Sequence, residues 1–262
     1  MSAPDYSADL SLALELADAA DLITRDRFRA LDLEIVTKPD NTPVTDADRS
    51  VEKKFRELMA TARPNDHIIG EEFGGSEKKP DRYWVIDPID GTKNFLRGVP
   101  TWGTLIALVE NSEVVVGVCS APELFRRWYA AKDFGSYLVV NNEAPRKLSV
   151  SKVAALSDAS LAYSDLDGWG NKKEKFLSVM SHVWRTRGYG DYWSHMLVAE
   201  GAVDVAAEPS LAVWDMAALD IIVREAGGRF TNVAGVDGSL GGSGLSTNSA
   251  IHQKIVDALN GR

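Results

Sequence analysis

One cysteine, Cys119, stands in a chain of 262 residues, so no disulfide can form within it. Its place after the apolar run Val114-Val115-Val116-Gly117-Val118 suits a small buried side chain better than a nucleophile or ligand. Positive charge is also in deficit: 29 Lys and Arg face 38 Asp and Glu, a formal net charge of −9. That balance repels nucleic acid and anionic membrane and argues against either as a main partner. No apolar run approaches the roughly 20 residues that a membrane-spanning helix needs. Met1 to Leu10 carries acids and lacks the basic and apolar regions of a secretory signal, so a cytoplasmic protein is expected. The glycine-rich 235–244 segment lacks the Lys-Ser/Thr ending of a phosphate loop and the spacing of a dinucleotide fingerprint, which leaves a surface loop. His67 and His195 stand without partner spacing and read as structural or surface residues, not metal ligands.

What is present can bury a large core, since 45% of the residues are hydrophobic. The expectation is one domain over residues 1–262, with an N-terminal metal-binding half (1–150) and an α/β half (151–262). Leu12, Leu16, Ala20 and Ile23 recur at helical spacing, as do Val51, Phe55, Leu58 and Met59. Between them Leu33-Glu34-Ile35-Val36 reads as a short strand, followed by a Pro- and Asp-rich loop from Lys38 to Asp48. Strands are expected at 84–86, 104–109, 114–118 and 127–130, with Asn111-Ser112 as a hairpin turn. Beyond residue 150, strands at 161–163, 185–187 and 203–205 alternate with helices at 173–182, 191–200 and 215–226, the last stopped by Gly227-Gly228.

Asp87-Pro88-Ile89-Asp90-Gly91-Thr92 carries the most information. It follows the apolar Tyr83-Trp84-Val85-Ile86 and delivers two carboxylates where a buried strand must end. Carboxylate oxygens suit a hard divalent ion, Pro88 stiffens the turn, and Gly91 admits close backbone approach. The plainer reading is a polar turn. Two further clusters weigh against it: Gly70-Glu71-Glu72-Phe73-Gly74 after His67-Ile68-Ile69, and Trp214-Asp215 opening an apolar helix. Acids from three separate segments fit a Mg2+ site and are not an excess, because a few carboxylates with water and substrate phosphate complete its shell.

These three motifs resemble those of the inositol-monophosphatase-like, Mg2+-dependent phosphatases, over nearly the whole chain. Lys38-Pro39-Asp40, Thr42-Pro43-Val44-Thr45-Asp46-Ala47-Asp48, Gly70-Glu71-Glu72-Phe73-Gly74-Gly75 and Glu200-Gly201-Ala202-Val203-Asp204 further resemble the actinobacterial histidinol-phosphate phosphatases. The resemblance implies a five-layer αβαβα sandwich of the α/β class. It makes Glu71, Asp87, the Ile89 carbonyl, Asp90 and Asp215 ligands of two to three Mg2+ ions, with Mn2+ as a substitute. It also implies a homodimer. Glu72 matches no ligand and reads as a solvated or structural neighbour. Thr92 would orient or deprotonate the attacking water, assisted by Asp48, whose plainer reading is a first-turn helix acid. Glu71 counts among the catalytic residues with them. Backbone N–H groups at Gly91 and Thr92 are expected at the phosphate, with Lys93 a surface charge.

Substrate choice turns on Asp191 and Glu208, which, counting back from Asp215, fall on substrate-contacting positions of the superfamily. An acid at 191 replaces a small alanine there. Added acid beside an anionic phosphoester favours a substrate whose remainder is cationic, as in histidinol phosphate; the plainer reading of Asp191 is a helix N-cap. The expected activity is therefore histidinol-phosphate hydrolysis within histidine synthesis. The alternatives are an inositol-1-phosphate or broad phosphomonoesterase and a non-catalytic metal-binding protein. A weaker one is a bisphosphate phosphatase, whose extra basic site would fall to residues such as Arg185 and Arg187. Trp102, Trp169 and Trp193 are left between core and interface.

Overall fold

The computed structural model describes residues 5–39, 42–75 and 80–262; Asp40 of the Lys38-Pro39-Asp40 motif lies outside them. Helices α1 (Ser7–Arg27) and α2 (Asp46–Ala62) flank a hairpin of β1 (Ile35–Thr37) and β2 (Pro43–Thr45). Strands β3 (His67–Gly70) and β4 (Arg82–Asp90) lead to the short helix α3 (Thr92–Leu96). A meander follows: β5 (Gly103–Glu110), β6 (Glu113–Ala121), β7 (Arg126–Ala131), β8 (Gly135–Val140) and β9 (Arg146–Lys147). The second half runs β10 (Ser160–Tyr163), α4 (Lys173–His182), β11 (Arg185–Arg187), α5 (Asp191–Ala199), β12 (Val205–Glu208), α6 (Val213–Glu225), β13 (Arg229–Thr231), β14 (Gly244–Thr247) and α7 (His252–Asn260).

Strands β3 to β9 form a seven-stranded sheet in sequence order, antiparallel except for the β3–β4 pair. A five-stranded sheet has the order β11-β10-β12-β14-β13, parallel on one side and antiparallel on the other. Both faces of strands β4, β5 and β6 are buried, which explains why these strands are continuous apolar runs instead of alternating ones. Trp84 and Ile86 pack with Leu16, Phe55 and Met59 of α1 and α2, whereas Tyr83 and Val85 pack with Met196 and Ile222 of α5 and α6. The same α5–α6 layer meets Ala206 and Phe230 of the small sheet. Across that sheet, Leu161 and Val205 pack with Phe176 of α4 and Ile255 of α7. The result is five layers, αβαβα, as the motifs imply.

Helices α4, α5 and α6 and strand β11 fall within two residues of their expected bounds. Asn111 and Ser112 both have positive φ, as a tight hairpin turn between twisted strands requires. Gly227 (φ 87°) closes α6 with the paired bonds of a Schellman motif, Gly228 N–H to Val223 O and Gly227 N–H to Arg224 O. Trp102 and Trp169 are core residues, and Cys119 is fully buried.

Three local expectations need correction. The Lys38–Asp48 loop contains β2, which pairs Pro43-Val44-Thr45 with β1; because β1 is exposed along its length, no burial pattern marks the hairpin. The strand expected at 203–205 begins instead at Val205, since Asp204 is spent on bonds to Ser151 and to the Ser160 amide before the ladder starts. Gly244, taken as loop, opens β14.

Candidate active site

Residues three apart on a regular strand point to opposite faces, so Asp87 and Asp90 can share a site only if β4 is irregular between them. It is. Pairing with β5 holds through Asp87 opposite Leu105, slips, and resumes at Asp90 opposite Gly103. The slip is fixed by the Thr104 hydroxyl donating to Pro88 O (2.8 Å) and by the Ile89 N–H donating to Asp87 Oδ1 (3.0 Å). Gly91 then takes φ 83° and caps α3; a Cβ there would stand 3.1 Å from Thr101 O and 3.3 Å from Asp191 Oδ2.

Asp215 arrives from the other half at the third position of α6, where its Oδ2 accepts the Ala212 N–H at 2.7 Å. Asp87, Asp90 and Asp215 each offer an oxygen within 4.8 Å of the others, a group that can hold a metal ion. Burial pushes the Asp87 carboxyl well up, and the charges of Glu71, Asp90 and Asp215 add to it. Asp90 is likewise raised by burial and by Asp191 and Asp215, against the Tyr192 amide bond that favours its charge. Burial raises Asp215 to about 7, opposed by its Ala212 bond. Among the described residues no positive charge is paired with these three crowded carboxylates, and a hard cation would supply one.

Glu71 stands beside this group on a turn with its own supports. Lys38 Nζ lies 2.8 Å from Glu71 Oε1 and 2.6 Å from Glu72 Oε1. Burial works against the ammonium charge, but the two acids outweigh it and hold the Lys38 pKa up. Glu72 is therefore paired instead of solvated, with 5% of its side chain exposed. Beneath the turn, the fully buried Glu52 accepts the N–H groups of Glu72 (2.8 Å) and Phe73 (3.3 Å). Gly70 makes room there, because a Cβ would stand 2.1 Å from Glu52 Oε1 and force the carboxylate to shift.

Thr92 and Asp48 are not hydrogen-bonded to each other. The Thr92 hydroxyl donates to Ile89 O (3.0 Å). Asp48 Oδ2 takes the Thr45 N–H (2.7 Å) and hydroxyl (2.6 Å), completing the capping box of α2. Asp48 Oδ1 is buried without a partner among the described residues, and burial raises the group to about 7 despite the Thr45 bonds.

Asp191 and Glu208 stand near this group, close enough for the charge of each to act on Asp90. Asp191 is not the N-cap of α5, a place held by Gly190; it opens the helix at φ 50°, with Oδ2 accepting from Asn94 Nδ2 at 3.0 Å. Burial first and the Glu208 charge second raise Asp191 to about 6, with Lys93 pulling the other way. Glu208 is buried at the end of β12, 3.3 Å from His195 Nε2. Arg185 and Arg187 sit on the edge strand β11, where Arg185 donates to the Tyr189 hydroxyl. Lys38, Glu52 and Asn94 escaped the sequence reading; only the Lys38-Pro39-Asp40 motif signalled any of them.

Residues 5–261 match the inositol monophosphatase family. The chain is 56% identical over 254 residues to the histidinol-phosphatase of Mycobacterium tuberculosis, covering 96% of this chain and 98% of that protein. It is 52% identical over 265 residues to the histidinol-phosphatase of Streptomyces coelicolor, covering 99% of each. Its fold matches an inositol monophosphatase from Zymomonas mobilis with a TM-score of 0.86 at 32% identity, over 98% of this chain and 100% of that one.

Proposed function

The chain belongs to the inositol monophosphatase family of metal-dependent phosphatases, and from that premise we propose that it hydrolyses L-histidinol phosphate to L-histidinol and phosphate. The observation that carries the substrate is a second pair of acids, the part-buried Asp191 and the buried Glu208, beside the Asp87–Asp90–Asp215 group. A phosphate ester brings negative charge into a site already rich in it. Acids left over after the cation is bound favour an alcohol part that carries positive charge, as the amine and imidazole of histidinol do. The names of the two relatives point to the same substrate.

Glu71, Asp87, Asp90 and Asp215, with the Ile89 carbonyl, would hold the cation, and Mg2+ is the proposed ion because every donor is a hard oxygen. When bound, it supplies neutralising charge to the phosphoryl oxygens and makes a water molecule acidic. Thr92 is proposed to orient that water. Its hydroxyl, which donates to Ile89 O, is proposed to turn to Asp48 Oδ1, an oxygen without a partner among the described residues, so that a proton would move toward a carboxylate already raised to about 7. Gly91 and Thr92 would meet the phosphate through backbone N–H groups. Both halves contribute residues, so they are proposed to act as one domain.

An inositol phosphate could also hydrogen-bond Asp191 and Glu208, which keeps inositol-1-phosphate hydrolysis as the second reading. A homodimer in the cytoplasm is part of the proposal; among the described residues no helix is long and apolar enough to cross a membrane. Asp191→Ala tests the substrate assignment: efficiency on histidinol phosphate should fall about tenfold, the scale of one lost charged contact. Unchanged efficiency would contradict it.

A further inference from the structure

His195 is fully buried in α5 and joins two strands of the small sheet. Its Nδ1 lies 2.6 Å from Ser246 Oγ on β14, and its Nε2 lies 3.3 Å from Glu208 Oε1 at the end of β12. A carboxylate accepts only, so Nε2 carries a proton toward Glu208; in the neutral ring, Nδ1 then accepts from the Ser246 hydroxyl. The ring has little freedom: Phe230 packs at a centroid distance of 5.7 Å, and Gly244 makes room where a Cβ would stand 3.3 Å from Cε1.

Serine, histidine and glutamate in this order could suggest a nucleophile relay. Ser246 is fully buried, however, and presents nothing to a substrate. The useful end of the array is Glu208. Among the described residues its Oε2 accepts no hydrogen bond, 6% of its side chain remains open, and its charge is felt at Asp90, Asp191 and Asp215. A free glutamate samples several rotamers and must be ordered whenever a substrate binds. One oxygen held by a clamped imidazole removes that cost and aims the other at the pocket.

We propose that His195 is a positioning residue that holds Glu208 as a fixed acidic wall of the pocket and thereby sets the preference for phosphomonoesters with a cationic alcohol part. This inference rests on the histidinol-phosphate reading. Two substitutions separate the halves of the array. In His195→Asn the amide can reach Ser246 but not Glu208, whereas in His195→Gln an N–H can still reach Glu208. Steady-state kinetics on histidinol phosphate and inositol 1-phosphate, with melting temperatures as a folding check, should show a loss of about tenfold in kcat/KM for histidinol phosphate in the Asn variant. The loss should lie mainly in KM, with a smaller loss on inositol 1-phosphate and recovery in the Gln variant. If the Asn variant does not fold, Ser246→Ala, which removes only the anchor, should narrow the same preference. Equal losses on both substrates, or a Gln variant no better than Asn, would overturn the positioning role alone; in Ser246→Ala, an unchanged preference would do the same. A wild-type enzyme without preference for histidinol phosphate would overturn the substrate reading and this inference together.

Discussion

Asp90 Oδ2 accepts the backbone N–H of Tyr192 at 2.6 Å, so a carboxylate of the first half is tied to the first turn of a helix in the second. The bond orients Asp90 toward Asp87 and Asp215 and brings Asp191 beside them. Cation site and substrate wall are thus built from one junction.

Asp90→Asn keeps an acceptor for Tyr192 while removing charge from the cluster. Activity should fall at least about a hundredfold, since charge stabilisation by a cation is worth several kcal/mol. The rise in melting temperature on adding Mg2+ should shrink, while the metal-free variant should melt no lower than wild type, because like charges have been relieved. Thermal scans with chelator and with Mg2+ check both.

Asp48→Asn separates a capping acid from a proton acceptor. The amide oxygen can still accept from Thr45, so the weakened cap should cost at most on the order of 1 kcal/mol. If Asp48 draws the proton from Thr92, kcat should fall about 10²–10⁴-fold. A modest melting shift with unchanged kcat would leave Asp48 as a cap only.

Gly70→Ala places a methyl against Glu52, which cannot retreat without abandoning the Glu72 and Phe73 amides. Overpacking of this kind costs about 1–3 kcal/mol. Displacement of the turn should also weaken metal binding through Glu71, measurable by calorimetric titration.

His252 supplies a pH signature away from the site. It is buried at the start of α7 between Thr247 and Thr231, and burial, then the Arg229 charge, lower its pKa to about 4 against a small opposing effect of Asp237. The unfolded chain takes this proton near pH 6.5 and the folded one only near 4, so the unfolded state binds more protons in between. The contribution is full above about pH 6.5 and is lost as pH falls toward 4, at up to about 1.4 kcal/mol per pH unit. His252→Gln should flatten this part of the melting curve relative to wild type in chelator. Parallel curves would refute the assignment.

The metal motifs were legible because each sits at one end of an apolar element, and α4 to α6 because their apolar spacing is helical. The slip at Pro88-Ile89 was not legible, although without it the two aspartates of one motif would point apart. The exposed β1–β2 hairpin left no burial pattern to find. Glu52 and His195 act on residues 20 and 13 positions away, through contacts that only the folded chain creates. Asp48 was visible as an acid before a helix, but not that its cap would leave one oxygen free.

The most direct test of the account is the ratio of kcat/KM for histidinol phosphate to that for inositol 1-phosphate, measured side by side on wild-type protein with Mg2+ and with chelator. The expected result is Mg2+-dependent turnover with a preference for histidinol phosphate of at least about tenfold, the scale of one charged contact. Equal or reversed preference would contradict the acidic-wall account of specificity, and turnover that survives chelation would contradict the role of the Asp87–Asp90–Asp215 group.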